Sequence, residues 1–433
     1  MSFKKQLEFF QFYGLNRQIM ALNDIIELFG AISIWFQSWE FSMYCEFVLK
    51  FDTHLQHYFI HYQPIQIHES DMSIPVDVLQ AVANVMRAER VVSTQLIQPL
   101  WGGYGELFRA SLDGSQYTSV IVKHIKLPQP KVHPRGWNTP ISHQRKLKSY
   151  QVELHWYQHY ANHCLPQCPV PKCLYVNELD DEILLIMEDL ATLGFEHTVT
   201  SFEPTPLNFK FTHSNFEPDS STHESVADVP QINHKKIEAC LSWLAYFHAQ
   251  HLAIEPDGLW ECGSYWHLAT RPDELEKLTD VPLQQAAERI DKTLQQCQFQ
   301  TLIHGDAKLA NFCFTTAGTQ VAGVDFQYVG QGCGMKDVIL LLSSCLPYQR
   351  CEQDVPELLN YYFRLLKQAL IEQQPHIDPQ AVEDEWRPLY SIAWADFQRF
   401  MKGWSPTHWK INSYTEALTQ QALTQLNSAE QGK

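Results

Sequence analysis

Along residues 73–89 the apolar positions Val76, Leu79, Val82, Ala83, Val85 and Met86 recur at helical spacing, so one face of a helix is expected there. Ser73 stands where an N-cap would, and Pro75 falls in the first turn. The period then changes. "VSTQLIQPLWGGYGELFRASLDGSQYTSVIVKHIKL" reads as three strands, the first two joined by "WGGYG" and the last two by "DGSQ". After a proline-rich stretch, 127–141, a helix is expected over 142–161, with Leu147, Tyr150, Leu154 and Tyr157 as its apolar stripe. "EILLIMEDL", 182–190, is a continuous apolar run ending in an acidic pair, as suits a buried strand. Residues 196–232 are polar, hold four prolines and have no period, which predicts a long surface loop or insertion. Beyond it "HKKIEACLSWLAYFHAQHL" is strongly amphipathic, and two or three further helices are expected after 335.

The stretch "LIHGDAKLANFCFTTAGTQVAGVDFQ", 302–327, interrupts that mostly helical half. "TLIHGD" and "VAGVDF" are short apolar strands that each end in an acid, and "NFCF" and "QVAGVDF" flank the turn "TTAGT". A hairpin there brings Asn311 near Asp325, with Asp306 on the preceding loop. Two carboxylates and an amide so placed suit phosphoryl transfer. Asp306 would orient a hydroxyl and take its proton, while Asn311 and Asp325 would hold Mg²⁺ against a triphosphate.

The spacing H-x-D-x-x-x-x-N followed by D-F resembles the catalytic and metal loops of protein kinases. Gly305 replaces the Arg of H-R-D, however, and Gln327 replaces the Gly of D-F-G. There is no A-P-E, and Asp337 already opens the helix "DVILLLSSC", leaving no room for an activation loop. H-G-D-x-x-x-x-N with D-F-Q is similar to the small-molecule branch of the kinase-like superfamily, which includes aminoglycoside phosphotransferases and choline kinases. With "PKCLYVNELDDEILLIMEDL", "SYQVELHWY" and "LAYFHA", it most resembles the ecdysteroid-kinase-like, CHK-type group. The resemblance covers about 90–345, with weaker support to about 410.

That resemblance implies an α+β, protein-kinase-like fold of two lobes: an antiparallel-sheet N lobe over 72–190 and a mainly helical C lobe over 191–433. It implies an ATP-dependent small-molecule kinase with ATP and Mg²⁺ as cofactors and a small-molecule hydroxyl as acceptor. Lys123 would pair with the phosphates; it shares a strand face with Ile121 and Ile125, whereas Lys126 points the other way. Glu153, the only acid in 142–161, would hold that lysine. Gly102, Gly103 and Gly105 would form the phosphate loop, and backbone groups near Glu188 and Leu190 would bind adenine.

Each part has a plainer reading. "WGGYG" is a hairpin turn, Lys123 a snorkelling lysine, Glu153 a solvated acid, Asp306 and Asn311 turn formers, and Asp337 an N-cap. His304 supports its loop by hydrogen bonding. Their joint occurrence in kinase order favours the enzyme. The rival is a non-catalytic nucleotide-binding scaffold of the same fold.

Composition narrows the rest. The 433 residues are 45% hydrophobic and 19% charged, ample for a large core. A net charge of −17 argues against nucleic acid as a partner. "MSFKKQLEFF" lacks a signal-peptide apolar run, and "IIELFGAISIWF" is too short to span a bilayer, so no membrane partner and a cytoplasmic location with reduced thiols are expected. His163, Cys164, Cys168 and Cys173 could ligate zinc, but their spacing fits no familiar ribbon, and buried thiols near a turn are the simpler reading. Residues 1–71, rich in aromatics, form either a helical extension or a stretch upstream of the true start. Trp394, Phe397, Phe400 and Trp404 lie at helical spacing and could line an acceptor pocket or simply pack in the core. Asp396 among them is a candidate partner for a cationic acceptor.

Overall fold

The computed structural model describes residues 74–100, 103–126, 140–179, 182–198 and 234–431. The expected extension over 1–71, Ser73, Gly102 and most of the 196–232 insertion lie outside these residues. Ile74–Lys433 forms one compact unit.

Helix α1 (Val76–Val85) begins one residue after Pro75, which occupies the cap position rather than the first turn. The Pro75 carbonyl accepts from the Val78 and Leu79 N–H groups, a service that proline's missing donor does not prevent. Strands β1 (Arg90–Pro99), β2 (Gly105–Asp113) and β3 (Ser119–Lys126) follow as expected. Helix α2 (Pro140–His159) starts and ends two residues earlier than its apolar stripe suggested. Strands β4 (Cys173–Leu179) and β5 (Glu182–Glu188) complete an antiparallel sheet in the order β1-β2-β3-β5-β4. The edge strand β4 was not anticipated. Its "CLYVNEL" is half-buried and mixed in polarity, and its register with β5 shifts between Cys173 and Tyr175.

The alternation of β3 sorts its side chains onto two cores. Val120 and Val122 meet Phe108, Ala110, Ile186 and α1's Val78 and Val82. Ile125 joins Tyr150, Leu154 and Trp156 of α2 in the larger core. Lys123 is in the same alternating set as Ile125, so the pleat aims it at α2.

The remainder runs β6 (Phe195–Thr198), α3 (His234–Gln250), α4 (Pro272–Glu276), α5 (Val281–Gln295), β7 (Thr301–Ile303), β8 (Phe312–Thr315), β9 (Val321–Gly323) and β10 (Gly330–Gly332). Helices α6 (Met335–Cys345), α7 (Tyr348–Gln373), α8 (Pro379–Trp386), α9 (Leu389–Trp404) and α10 (Ser413–Gln431) close the chain. That makes five helices after 335, not two or three. The β8–β9 hairpin pairs Phe312 with Gly323 and sits beside β6, while β7 pairs with β10. Residues 195–198, partly assigned to an insertion above, are thus strand. An antiparallel N-terminal sheet followed by a mainly helical region is the α+β, kinase-like architecture expected. Among the described residues no helix is long and apolar enough to cross a membrane.

Candidate active site

Lys123 is held between Leu107 of β2 and Leu185 of β5, and its Nζ lies 2.7 Å from both carboxylate oxygens of Glu153. Both side chains are buried. Burial pushes the Glu153 carboxyl above its ordinary pKa, and Lys123 opposes that rise. The same Nζ is 3.9 Å from Asp325 Oδ1.

Beyond β7 the chain turns sharply. Gly305 takes φ +78°, and a Cβ there would lie 2.1 Å from the Tyr328 carbonyl oxygen. An arginine or any other side chain is therefore excluded at this position of the motif. Asp306 follows. Its Oδ2 accepts from Lys308 Nζ at 3.0 Å and from Asn311 Nδ2 at 3.1 Å, and Asn311 Nδ2 also donates to the Asp306 carbonyl at 2.8 Å. With its Nδ2 so engaged, Asn311 has Oδ1 to offer a cation. Burial raises the Asp306 pKa, Lys308 lowers it, and Asp325 raises it.

Asp325 adopts φ +69°, a left-handed conformation costly for a non-glycine residue and common at functional loops. Burial raises its pKa, but Lys123, Lys308 and Lys146 together outweigh that and leave it lowered. The Val324 N–H donates to the Asn311 carbonyl at 3.0 Å, tying the two loops together. Asp306 Oδ1 and Asp325 Oδ1 are both buried without a hydrogen-bond partner. Such orphaned acceptors cost about 1–3 kcal/mol each, so the pocket as folded fits a cation and an incoming hydroxyl better than it fits itself.

His304 supports its loop as expected, whereas several of the residues around it had no sequence signal or the wrong one. His304 accepts the Asp306 N–H at Nδ1 (3.2 Å), so Nε2 donates to the Val324 carbonyl at 2.9 Å. Asp337 is not an N-cap. Gly334 caps α6, and the Asp337 carboxylate instead leaves its helix to accept the His304 and Gly305 N–H groups at 2.6 and 2.9 Å. His248 Nε2 lies 3.1 Å from the same carboxylate, and His248 Nδ1 2.8 Å from the Tyr362 hydroxyl. Phe326 stacks on Trp156 at 4.5 Å and tilts against His304 at 4.6 Å, linking α2 to the loop. Lys146 of α2 donates to Gln327 Oε1 at 2.9 Å; burial and the nearby Lys123 charge bring it down to about 8.

At the glycine loop the Gly103 N–H donates to Leu100 O and the Leu100 N–H to Gly105 O. Gly105 has φ +131°, and a Cβ would meet the His124 carbonyl oxygen at 2.0 Å, so close strand approach alone requires it. The Tyr104 hydroxyl lies 2.8 Å from His143 Nδ1, linking this loop to α2. At the end of β5 the Glu188 N–H donates to Lys172 O, and Leu190 opens a short 3-10 turn capped by Asp189.

One expectation needs correcting. Asp396 does not face an acceptor. It is fully buried, accepts from Trp266 Nε1 at 2.9 Å and Arg399 Nη2 at 2.8 Å, and lies 3.3 Å from Lys336. Trp394, Phe397 and Phe400 are core residues of α9, and of the four aromatics only Trp404, 39% exposed, reaches solvent. In the cysteine-rich turn, Cys168 Sγ lies 3.4 Å from Gln250 Oε1, and Gln250 Nε2 donates to the His163 carbonyl. Burial raises the Cys168 thiol to about 12, as suits a structural cysteine.

The segment carrying these loops settles the likeness. Residues 261–374 match the ecdysteroid kinase-like family. That ecdysteroid kinase-like segment contains Asp306, Asn311, Asp325 and Asp337; Lys123 and Glu153 lie outside the match. No curated protein matches the sequence. Among solved structures the chain is similar to choline kinase from Cryptosporidium parvum Iowa II, at 10% identity, covering 83% of this chain and 96% of that one, with a TM-score of 0.43. It is similar to macrolide 2'-phosphotransferase type I, at 13% identity, 81% and 99% coverage and a TM-score of 0.41. Plasmodium vivax ethanolamine kinase matches at 14% identity, 77% and 82% coverage and a TM-score of 0.37. Likenesses at these scores carry no argument; the fold rests on the strand order and loops described above.

Proposed function

We propose that this ecdysteroid kinase-like chain transfers the γ-phosphoryl group of ATP to a hydroxyl of a small molecule. The observation that carries the reading is the pair of buried carboxylate oxygens without a hydrogen bond on Asp306 and Asp325, the latter in ion-pair reach of Lys123, set beside the buried Lys123–Glu153 pair. Asp306 holds the acceptor hydroxyl and takes its proton at Oδ1. The hydroxyl oxygen bonds to the γ-phosphorus, the bond from that phosphorus to the β,γ-bridging oxygen breaks, and its electron pair leaves on ADP. Lys123, oriented by Glu153, pairs with the α- and β-phosphates. Asn311 Oδ1 and Asp325 would hold Mg²⁺, which supplies charge neutralisation to the triphosphate. Gly103 and Gly105 would cover the phosphates, and the Glu188–Leu190 backbone would receive adenine. Lys308, which the sequence reading passed over, keeps Oδ2 of Asp306 occupied, so that Oδ1 is the oxygen left for the hydroxyl.

The test is a thermal melt with Mg-ATP, with ATP plus chelator, and with Mg²⁺ alone. The reading expects stabilisation by Mg-ATP that falls sharply with chelator and disappears in Asp325→Asn. A wild-type protein that binds Mg-ATP yet transfers phosphate to no acceptor would favour the scaffold alternative.

A further inference from the structure

Two guanidiniums, Arg271 and Arg145, stand near the loop that carries Asp306. Tyr265 and Tyr328 meet edge to face with ring centroids 5.9 Å apart, and the Tyr265 N–H donates to Gly305 O, one residue before Asp306. Asp306 and Arg271 both act electrostatically on both phenols, and Arg145 acts on Tyr328 as well. Both rings thus lie near the Asp306 carboxylate and the Arg271 guanidinium, and Tyr328 near that of Arg145 as well.

Those guanidiniums are fixed in place. Arg271 Nε donates to the Tyr265 carbonyl at 2.7 Å and Nη1 to Glu274 at 3.2 Å, with the guanidinium 4.9 Å from the centre of the Phe400 ring. Arg145 reaches from α2 to donate to the Thr270 carbonyl at 2.7 Å and to the Ser142 hydroxyl at 3.2 Å, both neutral acceptors. Among the described residues no carboxylate pairs with Arg145; Glu274 and Asp273 act on it only at longer range. Burial lowers its pKa and the Arg271 charge lowers it further, so the two cations stand together against their own repulsion. Among the described residues nothing bonds to Arg271 Nη2 or Arg145 Nε, so each guanidinium keeps an N–H donor for a carboxylate or phosphate. Asp396, the acid considered for a cationic acceptor, is consumed by Lys336 and Arg399.

We propose that the acceptor is a hydroxylated small molecule that also carries an anionic group, a carboxylate or a phosphate, and that Arg145 and Arg271 bind that group while the hydroxyl meets Asp306. This rests on the phosphotransfer reading and names the substrate class for that same site. Arg145 is the specificity residue, since Arg271 also braces the Tyr265 backbone.

The experiment measures ADP release from Mg-ATP by the full chain against four pools: hydroxycarboxylates, sugar phosphates, neutral polyols and sterols, and amino alcohols. Turnover is expected with a hydroxycarboxylate or sugar-phosphate pool, the responding arm naming the anion, and not with the neutral or cationic pools. For the responding compound, Arg145→Gln raises KM roughly 10- to 100-fold with kcat within about threefold, and Arg145→Lys recovers part of the loss, as a charge-assisted contact requires. Melting curves of both variants establish that they fold. Turnover from a neutral or cationic pool alone, anionic turnover unchanged in Arg145→Gln, or silence in both anionic pools from a protein that Mg-ATP stabilises overturns the assignment. A wild type that Mg-ATP does not stabilise brings down the phosphotransfer reading first, and the acceptor class with it.

Discussion

Asp306 and Asp396 are buried carboxylates of the same half of the chain, yet their surroundings drive them in opposite directions. Asp396 is surrounded by Lys336, Arg399 and the Trp266 indole N–H; burial raises its pKa, but those partners outweigh it and bring it to about 2. Asp306 has one lysine and an amide on Oδ2 and nothing on Oδ1, and burial wins, raising its pKa. The first is an acid with both oxygens partnered, in an ion cluster that ties α9 to α6. The second is an incomplete set of partners, as the proposed base would have. Burial of an acid is therefore no guide to function; an unpartnered buried oxygen is.

The largest effect expected separates the two directly. Asp396→Ala leaves Lys336 and Arg399 buried without their carboxylate and costs about 3–5 kcal/mol of stability, read as a fall in the urea midpoint. Asp306→Ala should leave that midpoint within about 1 kcal/mol of wild type, or raise it, because an uncompensated acid is removed. Its kcat should fall about a hundredfold or more, equivalent to about 2.7 kcal/mol of barrier. If the two variants exchanged these phenotypes, the contrast would be wrong.

A middle-sized effect sharpens the comparison. Asp337 serves the loop from beneath through the His304 and Gly305 N–H groups. Asp337→Asn keeps the shape but loses one acceptor oxygen, at about 1–3 kcal/mol. Part of this should appear as faster hydrogen exchange at the Gly305 amide and part as lower kcat; an unchanged Gly305 exchange rate would remove Asp337 from the site.

The smallest effect is a shift in pH. Asp306 works as a base only when deprotonated, so kcat/KM falls as pH drops through its pKa, which stands above the usual carboxylate value. Lys308 pulls that pKa down. Lys308→Met should therefore move the acid limb to higher pH, and a limb that stays put or moves down would mean that Asp306 is not the titrating base.

The parts of this site legible in the sequence were those whose signal is local. Strand alternation put Lys123 on the face of Ile121 and Ile125, the kinase resemblance implied a helix acid to hold it, and Glu153 was the only acid on that helix. The turn "TTAGT" announced the hairpin that brings Asn311 toward Asp325. What stayed hidden depends on partners far along the chain. Asp337 binds backbone N–H groups some thirty residues away, which leave no trace in residue identity. Asp396 resembled a ligand contact because Lys336 and Trp266 are distant in sequence. Lys146 meets Gln327 across 181 residues, and β4 escaped because a half-buried edge strand has no clean period.

The central claim is that the open oxygen of Asp306 accepts a proton during transfer of phosphate from ATP. The most direct measurement is Mg²⁺-dependent ADP release across pooled hydroxyl compounds by wild type and Asp306→Ala, both verified as folded. The account predicts release in wild type with at least one pool and a loss of about a hundredfold or more in the variant. Equal release by the two proteins would contradict it.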